Sequence, residues 1–254
     1  MTPSEQVPQE APARHAAQGR PDSNRIPADQ LIVALDFPDA HQALALVDRL
    51  EGKCRWFKVG LELYLAAGNS IVETLKRRGF SVFLDLKLHD IPNTVAGAVR
   101  SVSSLGADML TVHASGGPAM LTAAAEAAAS QPSAPRLLAV TVLTSMDQAQ
   151  LTAIGVEASP SMQALRLAKT AHAAGIEGLV CSPEEAARMR RELPHSVLVT
   201  PGIRPAGAAS GDQKRVATPV AALAAGADYL VVGRPITQAV DPAAATSAIL
   251  AQMI

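Results

Sequence analysis

Eight times along this chain a short apolar, β-branched run gives way to an Ala-rich amphipathic one. The first kind has strand character and the second helical character. Strands are expected over 31–37, 56–62, 81–88, 108–114, 137–145, 178–182, 196–202 and 228–233. Gly106-Ala107-Asp108 and Gly226-Ala227-Asp228 each lead from a helix into a strand, and Gly79 and Gly175 occupy similar stop positions. A helix commonly ends in a left-handed residue, for which glycine is suited. Eight strand–helix units point to a single α/β domain, a (β/α)8 TIM barrel spanning 28–254. A doubly wound open sheet is the alternative.

The first 27 residues, rich in Pro, Ala, Gln and Arg, lie outside this alternation and are expected to form a disordered tail. They have no apolar core of the kind a secretory signal carries. No run approaches the about 18 apolar residues of a membrane span. The net charge of -1 implies no broad basic surface, which argues against nucleic acid as a partner. The two cysteines, Cys54 and Cys181, lack metal-type spacing. A reducing, cytoplasmic setting is therefore expected.

Charges interrupt the apolar strands at particular places. Asp36 ends the first strand, Lys58 and Glu62 lie on the second, and Asp85 and Lys87 on the third. His113 ends the fourth, Thr144 and Ser145 the fifth, and Arg234 the eighth. These are C-terminal strand ends, the face on which barrel enzymes carry their chemistry. Strand side chains alternate, so Asp85 and Lys87 share one face while Leu84, Leu86 and Leu88 share the other. Burying two charges is costly unless they pair, so a charged cluster is favoured over a salt-bridged strand end. Asp90, an odd number of residues beyond Asp85, falls on the wrong face for the same pocket. It must turn back through the loop or reach another pocket, such as that of a neighbouring subunit.

The seventh strand runs into Thr200-Pro-Gly-Ile-Arg204 and a long polar segment, 205–215. The eighth ends in Val232-Gly233-Arg234. Barrels commonly bind phosphate between the loops after strands seven and eight. Gly233 would admit a backbone amide close to an oxygen, and Arg234 offers a fork of donors. There is no Walker loop and no Gly-x-Gly-x-x-Gly after the first strand. Ser115 is not in a nucleophile elbow. Asp85 and Asp90 could hold Mg²⁺, but Lys87 between them supplies the neutralising charge, so no metal is expected. His89 is read as structural, and His113 as a rim residue as readily as a functional one.

Asp85-Leu-Lys87-Leu-His-Asp90-Ile-Pro-Asn-Thr94 resembles the signature of the orotidine 5'-phosphate decarboxylase family. So do Ala34-Leu-Asp36, Phe57-Lys58-Val-Gly60, Val142-Leu-Thr144-Ser145, Pro201-Gly-Ile-Arg204, Gly211-Asp-Gln213 and Val232-Gly-Arg234. The likeness runs in order from about Gln30 to the C-terminus. It implies decarboxylation of orotidine 5'-phosphate to UMP, the last step of pyrimidine nucleotide synthesis, without a cofactor. It also implies a homodimer in which Asp90 and Thr94 enter the partner's site. By resemblance, Lys58, Asp85, Lys87 and the donated Asp90 form an alternating charge network with Lys87 as proton donor. Asp36 and Lys58 would hold ribose hydroxyls, and Thr144 with Ser145 would sit near the pyrimidine. Arg204, Gln213, Gly233 and Arg234 would surround the phosphate. The nearest rivals are an Mg²⁺-dependent sugar-phosphate enzyme of the same superfamily and a non-catalytic phosphate-ligand barrel.

Overall fold

The computed structural model describes residues 26–205 and 215–254. Eight parallel strands close into one barrel in sequence order: β1 Leu31–Leu35, β2 Trp56–Gly60, β3 Ser81–Leu88, β4 Met109–His113, β5 Arg136–Val140, β6 Gly178–Val180, β7 Val197–Thr200 and β8 Tyr229–Val232. The ring shuts where β1 pairs with β8, Ile32 beside Val231. The open-sheet alternative is thereby excluded.

Around the barrel lie α1 Pro27–Gln30, α2 Ala40–Arg49, α3 Leu61–Ala67, α4 Asn69–Arg77, α5 Pro92–Ser103 and α6 Gly117–Ala129. They continue with α7 Gln148–Ala153, α8 Pro160–Ala173, α9 Pro183–Glu192, α10 Pro219–Ala224, α11 Arg234–Thr237 and α12 Pro242–Ala251. Of the tail expected over 1–27, only Ile26 and Pro27 are among the described residues, and Pro27 already opens α1.

Local chemistry starts and stops these helices. Ser159-Pro160, Ser182-Pro183, Thr218-Pro219 and Asp241-Pro242 each join a capping side chain to a proline at the first helical position. The cap satisfies an orphan N–H, and proline lacks one where none is needed. At the other ends Gly79, Gly106, Gly175 and Gly226 take φ of +82°, +72°, +89° and +100°, turning the chain back toward the next strand.

Two cores result from the alternation of strand side chains. Leu31, Val33, Leu35, Phe57, Val59, Val82, Leu84, Leu110 and Val112 point outward and pack beneath the helices. Ile32, Ala34, Trp56, Phe83, Met109, Leu138, Val197, Val199, Tyr229 and Val231 fill the barrel interior. Trp56 meets Tyr229 edge-on at 5.3 Å in this inner cluster. The inner column is what positions the site: continued by two residues on each strand, it reaches Asp36, Lys58, Asp85, Thr111 and Gly233.

The two Gly-Ala-Asp entries form matching clamps. The Asp108 carboxylate accepts from the backbone of Val82 at 2.7 Å and from Lys76 at 2.6 Å. Asp228, four units later, accepts from the backbone of Leu198 at 2.8 Å and from Arg190 at 2.6 Å. Each carboxylate ties a strand's start to its neighbour and to the helix before that neighbour. The side chain of Asp228 is 4% exposed and that of Asp108 34%. Removing one partner of a buried ion pair costs about 3–5 kcal/mol. At about 2–4 °C per kcal/mol for a chain of this size, Asp228→Ala should lower Tm by about 10 °C. Asp108→Ala, half open to water, should lower it less. Equal shifts in thermal unfolding would show that burial is not what makes the clamp matter.

Candidate active site

At the C-terminal mouth of the barrel a cavity of about 540 Å³ is lined by residues from both charged poles. One pole is built from the first three strands. Lys58 Nζ lies 3.0 Å from Asp36 Oδ1 and 3.6 Å from Asp85 Oδ2. Lys87 Nζ donates to both oxygens of Asp85 at 2.9 Å. The order Asp36–Lys58–Asp85–Lys87 is thus an alternating chain of charge. Asp85 is the most enclosed of the acids, its side chain 12% exposed, and Lys87 is the more open of the lysines at 34%.

Burial alone would raise the Asp85 carboxyl. Lys58, Lys87 and hydrogen bonds from Lys87 and Thr111 outweigh it and hold the group below the ordinary aspartate range. Asp85 is therefore a carboxylate at neutral pH.

The backbone is shaped around these groups. Pairing between β3 and β4 shifts register between Leu84 and Leu88, and Lys87 has φ +50°, which only the left-handed region allows. A side chain longer than glycine's there is strained, and such residues persist where their surroundings fix them. Thr111 does the fixing: its hydroxyl accepts from the Lys87 amide at 2.8 Å and donates to Asp85 Oδ1 at 3.0 Å. At Gly60 a Cβ would lie 2.9 Å from Lys58 Nζ and 3.3 Å from Asp36 Oδ1, so any side chain would displace the ion pair.

The other pole carries Pro201, Gly202 and Arg204 after β7, and Gly233 and Arg234 after β8. Arg204 is 9% exposed, and its amide bonds to Ala217 at 2.9 Å. Between the poles Val140, Val142, Leu143, Thr144, Ser145, Val180 and Cys181 supply a mostly apolar wall. Burial pushes the Cys181 thiol up to about 12, so it offers no thiolate at neutral pH.

The cavity brings together Asp36, Lys58, Asp85, Lys87, Thr144, Ser145, Arg204, Gly233 and Arg234. Asp90 and Thr94 are not among its lining residues. Both are exposed, and the Asp90 carboxylate accepts from the Ile91 amide at 2.7 Å. Gln213 lies outside the described residues.

Four expectations need correction. Glu62 is not on the second strand: β2 ends at Gly60 and Glu62 sits exposed in the first turn of α3. Thr144 and Ser145 do not end the fifth strand, which stops at Val140; they reach the cavity from the turn that follows. Arg234 opens α11, and Gly233 is its N-cap. His113, expected at the mouth, does not line the cavity. It stacks on His89 at 5.3 Å and bonds Ser115 through Nδ1 at 2.7 Å. Burial, with His89 and Lys87 nearby, lowers its pKa and keeps it neutral. Sequence reasoning missed Thr111. Its signal was a lone hydroxyl in an apolar strand, on the face shared with His113.

A closed barrel with alternating charges at its C-terminal mouth defines a (β/α)8 barrel of the enzyme class, its charged groups on the face where such barrels carry their sites. The model of the orotidine 5'-phosphate decarboxylase / HUMPS family matches residues 29–249, and the chain belongs to that family. An orotidine 5'-phosphate decarboxylase of Halorhodospira halophila is 57% identical over 225 residues, covering 88% of this chain and 95% of that relative. The Pseudomonas aeruginosa protein of the same name is 53% identical over 225 residues, 88% of this chain and 97% of the relative. The crystal structure of an orotidine 5'-phosphate decarboxylase from Lactobacillus acidophilus superposes with a TM-score of 0.78 at 38% identity, over 89% of this chain and 99% of that one.

Proposed function

We propose that this chain decarboxylates orotidine 5'-phosphate to UMP in pyrimidine nucleotide synthesis, using its own side chains alone. The observation that carries this is the Lys58–Asp85–Lys87 array, packed at 3.6 and 2.9 Å on one side of a cavity whose far side bears Arg204 and Arg234.

In the reaction the bond from pyrimidine C6 to its carboxylate breaks, CO₂ leaves, and the electron pair stays on C6. The Lys87 ammonium then gives C6 its proton and regains one from water. Asp85, held ionised, faces the substrate carboxylate, and departure of neutral CO₂ relieves that repulsion. Lys87, fixed by two bonds to Asp85, stabilises the developing carbanion before protonating it. Asp36 and Lys58 take ribose hydroxyls, and Thr144 and Ser145 the base. Arg204, Gln213, Gly233 and Arg234 hold the phosphate. Binding energy from that remote group is used at the reacting carbon.

The chain acts as a homodimer on this proposal, with Asp90 and Thr94 entering the partner's site. Three features support it. Among the described residues Lys87 meets one carboxylate, that of Asp85, and its side chain is 34% exposed. Leu61, Leu65 and Ile91 are 49%, 80% and 67% exposed beside the mouth ends of β2 and β3. Asp90 and Thr94 themselves face outward. A cytoplasmic setting belongs to the same proposal: Cys54 and Cys181 are free and buried. Among the described residues no helix is long and apolar enough to cross a membrane.

The test is the fall in absorbance of orotidine 5'-phosphate with and without EDTA. Chelator-insensitive loss of the signal supports the proposal. Nucleotide binding without turnover, or turnover abolished by EDTA and restored by Mg²⁺, would replace it with one of its rivals. Within it, Arg234→Ala should raise KM for the nucleotide by about 10²-fold, as loss of a charge-assisted contact implies. Phosphate-free orotidine should be nearly unaffected. Equal losses on both would remove Arg234 from the phosphate.

A further inference from the structure

Arg215 is buried, 7% exposed, yet does not line the cavity. It lies behind three successive walls. Its guanidinium pairs with Glu185 and donates to the Ser182 hydroxyl at 3.2 Å, both at the start of α9 after β6. It also donates to the carbonyls of Val142 at 3.1 Å and Leu143 at 2.9 Å, in the turn after β5 that presents Thr144 and Ser145. Glu185 in turn accepts from the Ser182 amide at 2.8 Å. On the third side the backbone next to Arg215 is zipped to the segment after β7. Ala217 donates to Gly202 at 3.2 Å and accepts from Arg204 at 2.9 Å.

This is a poor device for stability alone. A buried ion pair gains little over an apolar replacement of the same volume. Burial pushes the Glu185 carboxyl above the ordinary glutamate range against the pull of Arg215. The Arg215 Nε has no hydrogen-bond partner among the described residues. What a planar fork supplies, and an apolar cluster cannot, is a fixed direction: two backbone carbonyls of one loop and a carboxylate of another are set at once.

We infer that Arg215 is a positioning residue of the decarboxylation, holding the turn that carries Thr144 and Ser145 in register with the segment that carries Arg204. It rests on the function proposed above. Phosphate held by Arg204 then sets where the pyrimidine lies against Lys87, because one guanidinium fixes both walls. A misplacement of about 1 Å is enough to cost about 10²-fold in rate.

The experiment compares orotidine 5'-phosphate with phosphate-free orotidine in the wild-type protein, Arg215→Lys and Glu185→Gln, below each variant's unfolding temperature. Lysine keeps the charge but not the fork. It should lower kcat on the nucleotide by about 10²-fold with KM changed less than about threefold, since Arg204 and Arg234 still bind the phosphate. The loss on orotidine should be under about fivefold. Glu185→Gln keeps the shape and should show the same pattern, weaker, which serves if Arg215→Lys does not fold. Equal losses on the two substrates, or a lower Tm with unchanged kinetics, would overturn the assignment and leave Arg215 a structural residue. Should the wild-type protein itself fail to turn over the nucleotide, the proposed function falls first and the assignment with it.

Discussion

Lys87→Ala is expected to abolish turnover while leaving the barrel folded. The residue has two tasks. Placed electrostatic stabilisation of a transition state contributes about 10²–10³-fold, and general acid transfer about 10²–10⁴-fold. Removing both at one atom should lower kcat/KM by about 10⁵-fold. Activity within tenfold of wild type would take the proton-donor role away from it. The fold should survive because the Lys87 side chain is partly open to water, and Asp85 keeps Thr111 at 3.0 Å and Lys58 at 3.6 Å. A stability difference should nonetheless be measurable, and its pH dependence has a definite sign. The folded-state pKa of Asp85 is depressed below 3.8 in part by Lys87. A depressed carboxylate contributes stability above its unfolded pKa and loses it as pH falls through the folded one. Urea unfolding should therefore separate wild type from Lys87→Ala near neutrality, with the gap narrowing progressively as pH falls below about 4. A gap that widened on acidification would mean that Lys87 does not hold Asp85 ionised.

The barrel was legible because its evidence is repetitive: eight apolar runs, glycine stops and capping signals all agree. Much of the charged pole was legible for a related reason. Period-two alternation carries the inner column from Ile32 and Ala34 to Asp36, and from Phe83 to Asp85, without any knowledge of the neighbours. That rule fails once pairing stops. It placed Glu62 on β2, but the strand turns into α3 at Leu61. It extended the fifth strand to Ser145, while the ladder ends at Val140 and a turn carries the last residues to the cavity. The register shift that gives Lys87 its positive φ, and the Thr111 contacts that hold it, depend on how β3 meets β4. Arg215 was unreadable for the same reason. All its side-chain partners among the described residues lie 30 or more positions away in sequence, and a basic residue ending a polar loop looks like a solvated one.

Asp90 yields the sharpest test of shared sites. Asp90→Ala removes nothing from its own chain's cavity, since Asp90 does not line it and accepts there only from the Ile91 amide among the described residues. On its own, such a surface change should alter stability by less than about 0.5 kcal/mol. Yet if Asp90 of the partner subunit is the second carboxylate beside Lys87, the variant should be nearly inactive, its lysine lacking one of the two anions that place it. Two inactive variants should then rescue each other. In a dimer of one Lys87→Ala and one Asp90→Ala subunit, one mouth carries both lesions. The other combines an intact Lys87 with an intact Asp90 and is wild type. Random reassociation of equal amounts makes half the dimers mixed, so about a quarter of wild-type activity should return. Purification of the mixed species through two different tags should raise that to about half. Proven heterodimers that stay inactive would place Asp90 outside the partner's chemistry. An Asp90→Ala homodimer with full activity would do so even before any mixing.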